Sequence, residues 1–297
     1  MFRLAHVSDL HATAVRVERL GDFANKRLLA WISWRWKRRQ RHQAGVLQAL
    51  VSDLEELDPD HVAVTGDLTN AACEFEFSEA LPWLESLGGP QRVSLVPGNH
   101  DAYVAVPRSR SWDLWAGYMG SDRDLHAPFP SLRVRGPLAV VGLCSALPTL
   151  PFLASGQLGA EQLERLEKLL GELAETSLCR VVLIHHPPVA GTVSPRCSLR
   201  DSQALGEVLQ RAGADLVLHG HGHRTVFEQL QGPEGPIPVV GVRSASYAGD
   251  DSSKRAQYHV YEIEPNPAAG PRFQITARVR GYQPAEGGFA AAGERRL

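Results

Sequence analysis

The chain has 297 residues, with 31 Lys and Arg against 33 Asp and Glu and a formal net charge of −2. So small a net charge predicts neither nucleic acid polymers nor membranes as general partners, since the chain as a whole carries no excess of positive side chains. Hydrophobic residues make up 43% and charged residues 22%, ample for a globular unit with a buried core.

Residues 4–7 read as a short apolar strand, with Asp9 and His11 just beyond its end. The opening residues run straight into this motif, so no signal peptide is expected. From 20 to about 57 the apolar spacing is helical. Within it lie seven basic residues, Lys26, Arg27, Arg35, Lys37, Arg38, Arg39 and Arg41, with no acid among them and with Trp31, Trp34 and Trp36 interleaved. This basic insertion, residues 20–42, has three readings: a solvated helix face, a peripheral membrane contact, or a contact with substrate or a second subunit. Residues 61–65 form a second buried strand ending at Gly66-Asp67, with Asn70 three residues on. A helix over 75–87 follows.

The strand at 93–97 leads into Gly98-Asn99-His100-Asp101. Trp112, Trp115, Tyr118 and Met119 share a helical spacing and read as core. Further on come a strand at 138–144, a helix at 160–173 and a strand at 180–184 that ends in His185-His186-Pro187-Pro188. A helix at 199–212 precedes a strand at 215–218, which ends in His219-Gly220-His221-Gly222-His223. Three strands follow, at 237–242, 258–263 and 273–279. A single domain over 1–282 is expected, with the Gly/Ala-rich residues 283–297 as a flexible tail. Cys73, Cys144, Cys179 and Cys197 are scattered, as reduced thiols would be. No apolar run approaches the ~18 residues of a membrane helix, and the expected location is cytoplasmic.

Strands alternating with helices imply a largely parallel sheet, whose ligands gather at the carboxyl ends of the strands. Every polar cluster sits at such an end. Carboxylates, imidazoles and an amide suit a borderline divalent cation (Mn, Fe, Zn or Co), whereas Ca or Mg would take oxygen alone. The ligands are too many for one tetrahedral site and enough for two cations sharing a carboxylate, an arrangement that clamps the attacking and leaving oxygens of phosphoryl transfer.

The ordered set Asp9-x-His11, Gly66-Asp67-x-x-Asn70, Gly98-Asn99-His100-Asp101, His185 and Gly220-His221-Gly222-His223 resembles the calcineurin-like metallophosphoesterase family over about three-quarters of the chain. The resemblance implies an α/β fold, a two-sheet β sandwich flanked by helices, with a dinuclear centre. It places Asp9, His11 and His223 on the first metal, Asp67 as the bridge, and Asn99, His185 and His221 on the second. His219 is expected to point into the sheet. The implied nucleophile is a hydroxide bridging the metals. His100 is expected to donate a proton to the leaving oxygen, and Asp101 to orient His100.

The tetrapeptide and the His-His-Pro-Pro run are similar to the class III cyclic nucleotide phosphodiesterase branch, which implies a small-molecule phosphodiester substrate. UDP-2,3-diacylglucosamine hydrolases share the fold but carry Arg in place of His100. The basic Trp segment nevertheless keeps open a phosphodiesterase or pyrophosphatase acting on lipid-linked or nucleotide-sugar substrates, docked at the inner membrane face. A metal-binding scaffold of weak activity is the alternative from another class. Arg196 and Arg200 are candidate phosphate contacts.

Overall fold

A computed structural model describes residues 1–16, 25–124, 128–267 and 270–297, without the side chains of residues 37 and 38. Its first half runs β1 (Phe2–Val7), α1 (Arg27–Ser33), α2 (Arg39–Arg41), α3 (Ala44–Leu57), β2 (His61–Val64), α4 (Glu74–Leu87), β3 (Val93–Leu95) and α5 (Ala116–Met119). Next come β4 (Ser131–Arg135), β5 (Leu138–Gly142), α6 (Ala160–Ala174), β6 (Cys179–Leu183), α7 (Ser202–Ala212) and β7 (Leu216–His219). The chain closes with β8 (Val226–Gly232), β9 (Gly235–Gly241), β10 (Gln257–Pro265), β11 (Phe273–Gln283) and β12 (Gly288–Arg296).

The strands pair into two mixed six-stranded sheets, ordered β12-β11-β10-β1-β2-β3 and β4-β5-β6-β7-β9-β8. Side-chain alternation explains why they stack. Leu138 and Val140 of β5, Val181 and Leu183 of β6, and Leu216 and Leu218 of β7 join Leu4, Ala63 and Val96 in the core between the sheets. Their neighbours Ala139, Val141, Val182 and Val217 instead meet Leu166 and Leu170 of α6 and Leu205 and Leu209 of α7. A strand buried on both faces reads as a continuous apolar run for this reason. With α3 and α4 against the first sheet, the layers are helix, sheet, sheet, helix. β1, β2 and β3 run parallel, as do β5, β6, β7 and β9, so their carboxyl ends share one edge of the sandwich.

Three departures from the sequence reading have physical causes. The expected flexible tail is largely a strand: β12 pairs with β11 along its length, and Phe289 packs on Tyr258 and Tyr282. Its small residues have weak strand periodicity, and the pairing partner, not local propensity, makes the strand.

The expected helix over 20–57 is broken, and residues 20–24 lie outside the described ones. After α1 comes a wide π-type turn at Trp34–Arg38, and at Gln43 the backbone is extended (φ −121°, ψ 131°). There Gln43 N donates to the Ser246 carbonyl at 3.1 Å and Ala248 N to that of Arg41 at 2.7 Å, so residues 246–248 replace intrahelical partners.

The basic residues of this segment also divide by role. Lys26 Nζ donates to the Thr149 carbonyl at 3.1 Å and lies 4.1 Å from the Tyr103 ring centroid. Arg27 donates to the carbonyls of Ala71 and Ala72. Both anchor the segment across the strand-end edge, while Arg35, Arg39 and Arg41 are exposed.

Candidate metal centre

Seven residues predicted to ligate metal meet at the shared edge. Asp9 and His11 follow β1, Asp67 follows β2, Asn99 follows β3, His185 follows β6, and His221 and His223 follow β7. Potential donor atoms of Asp9, His11 and His223 lie within 4.8 Å of one another, and so do those of Asp67, His185 and His221. Asn99 Oδ1 is 3.0 Å from His185 Nε2, which adds an amide oxygen to the second group.

The backbone is bent to achieve this. Of eight described non-glycine residues with positive φ, five are Asp9, His11, Asp67, His221 and His223. Each costs of order 1–3 kcal/mol, a strain that persists only where surrounding structure enforces it. Close approach is as demanding as curvature: a Cβ on Gly98 would lie 2.2 Å from Asp67 Oδ1, and one on Gly220 would lie 1.8 Å from Ser8 Oγ.

The donor set passes a chemical test for cations. His11 Nδ1 faces the Thr69 carbonyl at 3.2 Å, His185 Nδ1 that of Thr65 at 2.6 Å, and His221 Nε2 that of Cys197 at 2.9 Å. Donation to a carbonyl fixes the tautomer and leaves the other ring nitrogen for a metal. Burial opposes ionisation of Asp9, but His223, His185 and His11 outweigh it and hold the carboxyl well below the usual range. Asp67 is lowered likewise, with burial overcome mainly by His185 and His100. Burial alone would depress His185, yet Asp67 and Asp9 push it up to about 9. Two buried carboxylates thus demand positive charge, and a proton on His185 supplies some of it when no cation is bound.

A family model for calcineurin-like phosphoesterases matches residues 2–225. The chain belongs to that family. A probable cyclic nucleotide phosphodiesterase of Synechococcus sp. is 26% identical over 223 residues, covering 73% of this chain and 77% of the relative. Among solved structures, a dimetal phosphatase from Danio rerio superposes with a TM-score of 0.67 at 11% identity, covering 98% of both chains. A sulfate thiohydrolase from Thermus thermophilus reaches 0.51 at 15% identity, covering all of this chain and 56% of the other. These structural likenesses concern the fold. The family is dimetal-dependent and acts on phosphoesters.

In this phosphoesterase His100 reaches the rim of the centre, its ring centroid 5.0 Å from that of His11 and stacked on Tyr103 at 5.4 Å. Asp101 does not orient it, contrary to expectation. His100 Nδ1 faces the Asn70 carbonyl at 2.6 Å, whereas the Asp101 carboxylate turns away into the core. Its oxygens accept from the amides of Asp67, Gly98 and Thr69, each at 2.9 Å, and from the Thr69 hydroxyl. Asp101 therefore ties the Asp67 loop to the Asn99 loop.

Arg196 and Arg200 are also displaced from their expected role. Neither lines the polar cavity over the centre, and Arg200 Nε donates to Ser155 Oγ at 3.1 Å. Among the described residues, the cation on that wall is Arg224, next to His223, which sequence reasoning passed over. Glu76 was missed too: its buried carboxylate accepts from Thr13 and from the amides of Asn70, Ala71 and Cys73. Its signal was a capping-box spacing, Cys73-x-x-Glu76. His42 ends the basic segment with its ring centroid 4.7 Å from that of His11. As expected, His219 stays buried in the sheet and Trp115, Tyr118 and Met119 lie in the core, whereas Trp112 is only partly buried against it and donates from Nε1 to the Asp101 carbonyl at 3.0 Å.

Proposed function

We propose that this chain is a metal-dependent phosphodiesterase, with Asp9, His11 and His223 around one cation, Asn99, His185 and His221 around the other, and Asp67 between them. The observation that carries the reading is the pair of three-residue donor groups with His100 on their rim. The name of the Synechococcus relative makes cyclic nucleotides the first natural diesters to try.

When bound, two divalent cations would supply Lewis acidity toward the phosphoryl oxygens and lower the pKa of bound water to about 7. The protein's own groups do the remaining work. Asp101 and Glu76 hold the donor loops in their strained shape. His100 commits Nδ1–H to the Asn70 carbonyl, so the proton it delivers is on Nε2. Water adds to phosphorus, losing a proton to solvent, as the ester P–O bond breaks; the departing alkoxide takes the His100 proton, which solvent then restores. Arg224 faces the cavity where the non-reacting phosphate oxygens would lie.

Turnover of bis(p-nitrophenyl) phosphate by Mn-loaded protein tests the reading. Asp67→Ala is expected to abolish it. No turnover by correctly folded, metal-loaded wild type would support the scaffold alternative instead.

A further inference from the structure

The basin above the centre has two halves of opposite character. One, of about 630 Å³, is polar and lined by Asp67, Thr192, His221, His223 and Arg224. The other, of about 690 Å³, is walled by Leu29, Ile32 and Trp36 of the basic segment and by Phe152 and Leu153 of the loop after β5. The halves meet at Asn99, His100 and Ala154. Among the described residues outside that junction, only Ser33, Tyr103 and the Trp36 indole bring a polar side-chain atom to the second half. Such a wall offers little to the several hydrogen-bonding groups of a base and ribose, and much to an aliphatic chain.

The rim repeats the pattern. Among the described residues, seven large hydrophobic side chains are exposed, and three of them, Ile32, Trp36 and Phe152, line this mouth. Trp36 is 76% and Phe152 79% exposed. Phe152 also sits at φ 65°, a conformation that a bulky residue rarely adopts. Beside them Arg35 and Arg39 are exposed. Exposed tryptophan and phenylalanine next to arginine match the boundary between acyl chains and anionic headgroups.

We infer that the substrate is a phosphodiester carrying an aliphatic lipid chain, which occupies the Leu29–Ile32–Trp36–Phe152–Leu153 half while the phosphate lies over the metal centre, and that the rim takes it from an anionic bilayer. This rests on the phosphodiesterase reading and narrows its substrate class.

The test compares binding of methylphosphonate and octylphosphonate to Mn-loaded protein by calorimetry, with octylphosphonate kept monomeric. Burying one methylene is worth about fourfold in affinity, so the octyl compound should bind at least roughly thirtyfold tighter. Trp36→Ala combined with Ile32→Ser should shrink the ratio to below about fivefold. Equal affinities would overturn the inference while leaving any turnover of bis(p-nitrophenyl) phosphate, and so the phosphodiesterase reading, intact. Failure of both phosphonates to bind, together with no turnover, would refute both. Flotation tests the source: vesicles of mixed phosphatidylcholine and phosphatidylglycerol should capture the protein at low salt, vesicles of phosphatidylcholine alone should not, and Arg35→Glu with Arg39→Glu should release it. A chain-length effect without capture would overturn the bilayer as the source.

Discussion

Cation binding at the second donor group should release a proton, in an amount the geometry specifies. Without a cation, both nitrogens of His185 face acceptors, Nδ1 the Thr65 carbonyl and Nε2 the Asn99 amide oxygen, with Asp67 Oδ2 at 3.5 Å. Although burial works against protonation, Asp67 and Asp9 raise this imidazole to about 9. The other donors of this group carry no exchangeable proton near neutrality, since burial draws His221 down to about 4 and Asp67 is held ionised. Burial and Asp67 raise Asp101 behind them to about 7, so the count is clean above that pH. Between about pH 7 and 9, loading this group therefore displaces one proton per cation, from His185. The binding form is the deprotonated one, so affinity rises with pH, by about tenfold per unit, and levels off once His185 has titrated. Between about pH 7 and 8 that amounts to about tenfold, or about 1.4 kcal/mol. Chelator competition across this range measures the slope, and calorimetry in two buffers of different ionisation enthalpy counts the proton. His185→Gln should abolish the release. An affinity independent of pH, with no proton released, would refute the account of His185 as the centre's proton store.

Three further expectations concern residues whose roles separate cleanly. His100→Ala should lower diester turnover by about 10²–10³ with metal content unchanged, and a loss of only a few-fold would remove His100 as the acid. Asp101→Ala leaves the amides of Asp67, Gly98 and Thr69 without their acceptor, at about 1–3 kcal/mol each, so urea unfolding should show a loss of about 3 kcal/mol or more. A midpoint equal to wild type would contradict that tie between the loops. Burial first, and nearby arginines second, depress His61 and His259 to about 3. Unfolded, these residues titrate near 6.5 and bind protons that the native state refuses, so stability falls as pH drops below about 6, by about 3 kcal/mol per unit for the pair. Urea midpoints across about pH 6 to 4 measure the slope, and a flat profile would show that these imidazoles are charged in the fold.

The sequence by itself determined which strand tips carry polar clusters and that those tips share an edge of a largely parallel sheet; the two-sheet sandwich came from the family resemblance. A strand, its apolar run and the Gly-Asp or Gly-Asn-His that ends it are neighbours along the chain, so backbone propensity and alternation expose them without any partner in view. The direction of each side chain beyond the tip was decided only in three dimensions. Asp101 follows His100 in sequence, yet the turn at Gly98 swings its carboxylate toward the amides of Asp67 and Thr69, which lie more than thirty residues upstream. Arg224 rather than Arg196 or Arg200 faces the cavity because the turn after β7 ends there, and β12 exists because β11 offers it an edge. Likewise, the basic helix could be recognised by composition, but its seat over the centre comes from Thr149, Ala71, Ala72 and Ser246, partners far from it along the chain. Covalent neighbours set where a motif can form, and packing between distant segments sets what its side chains face.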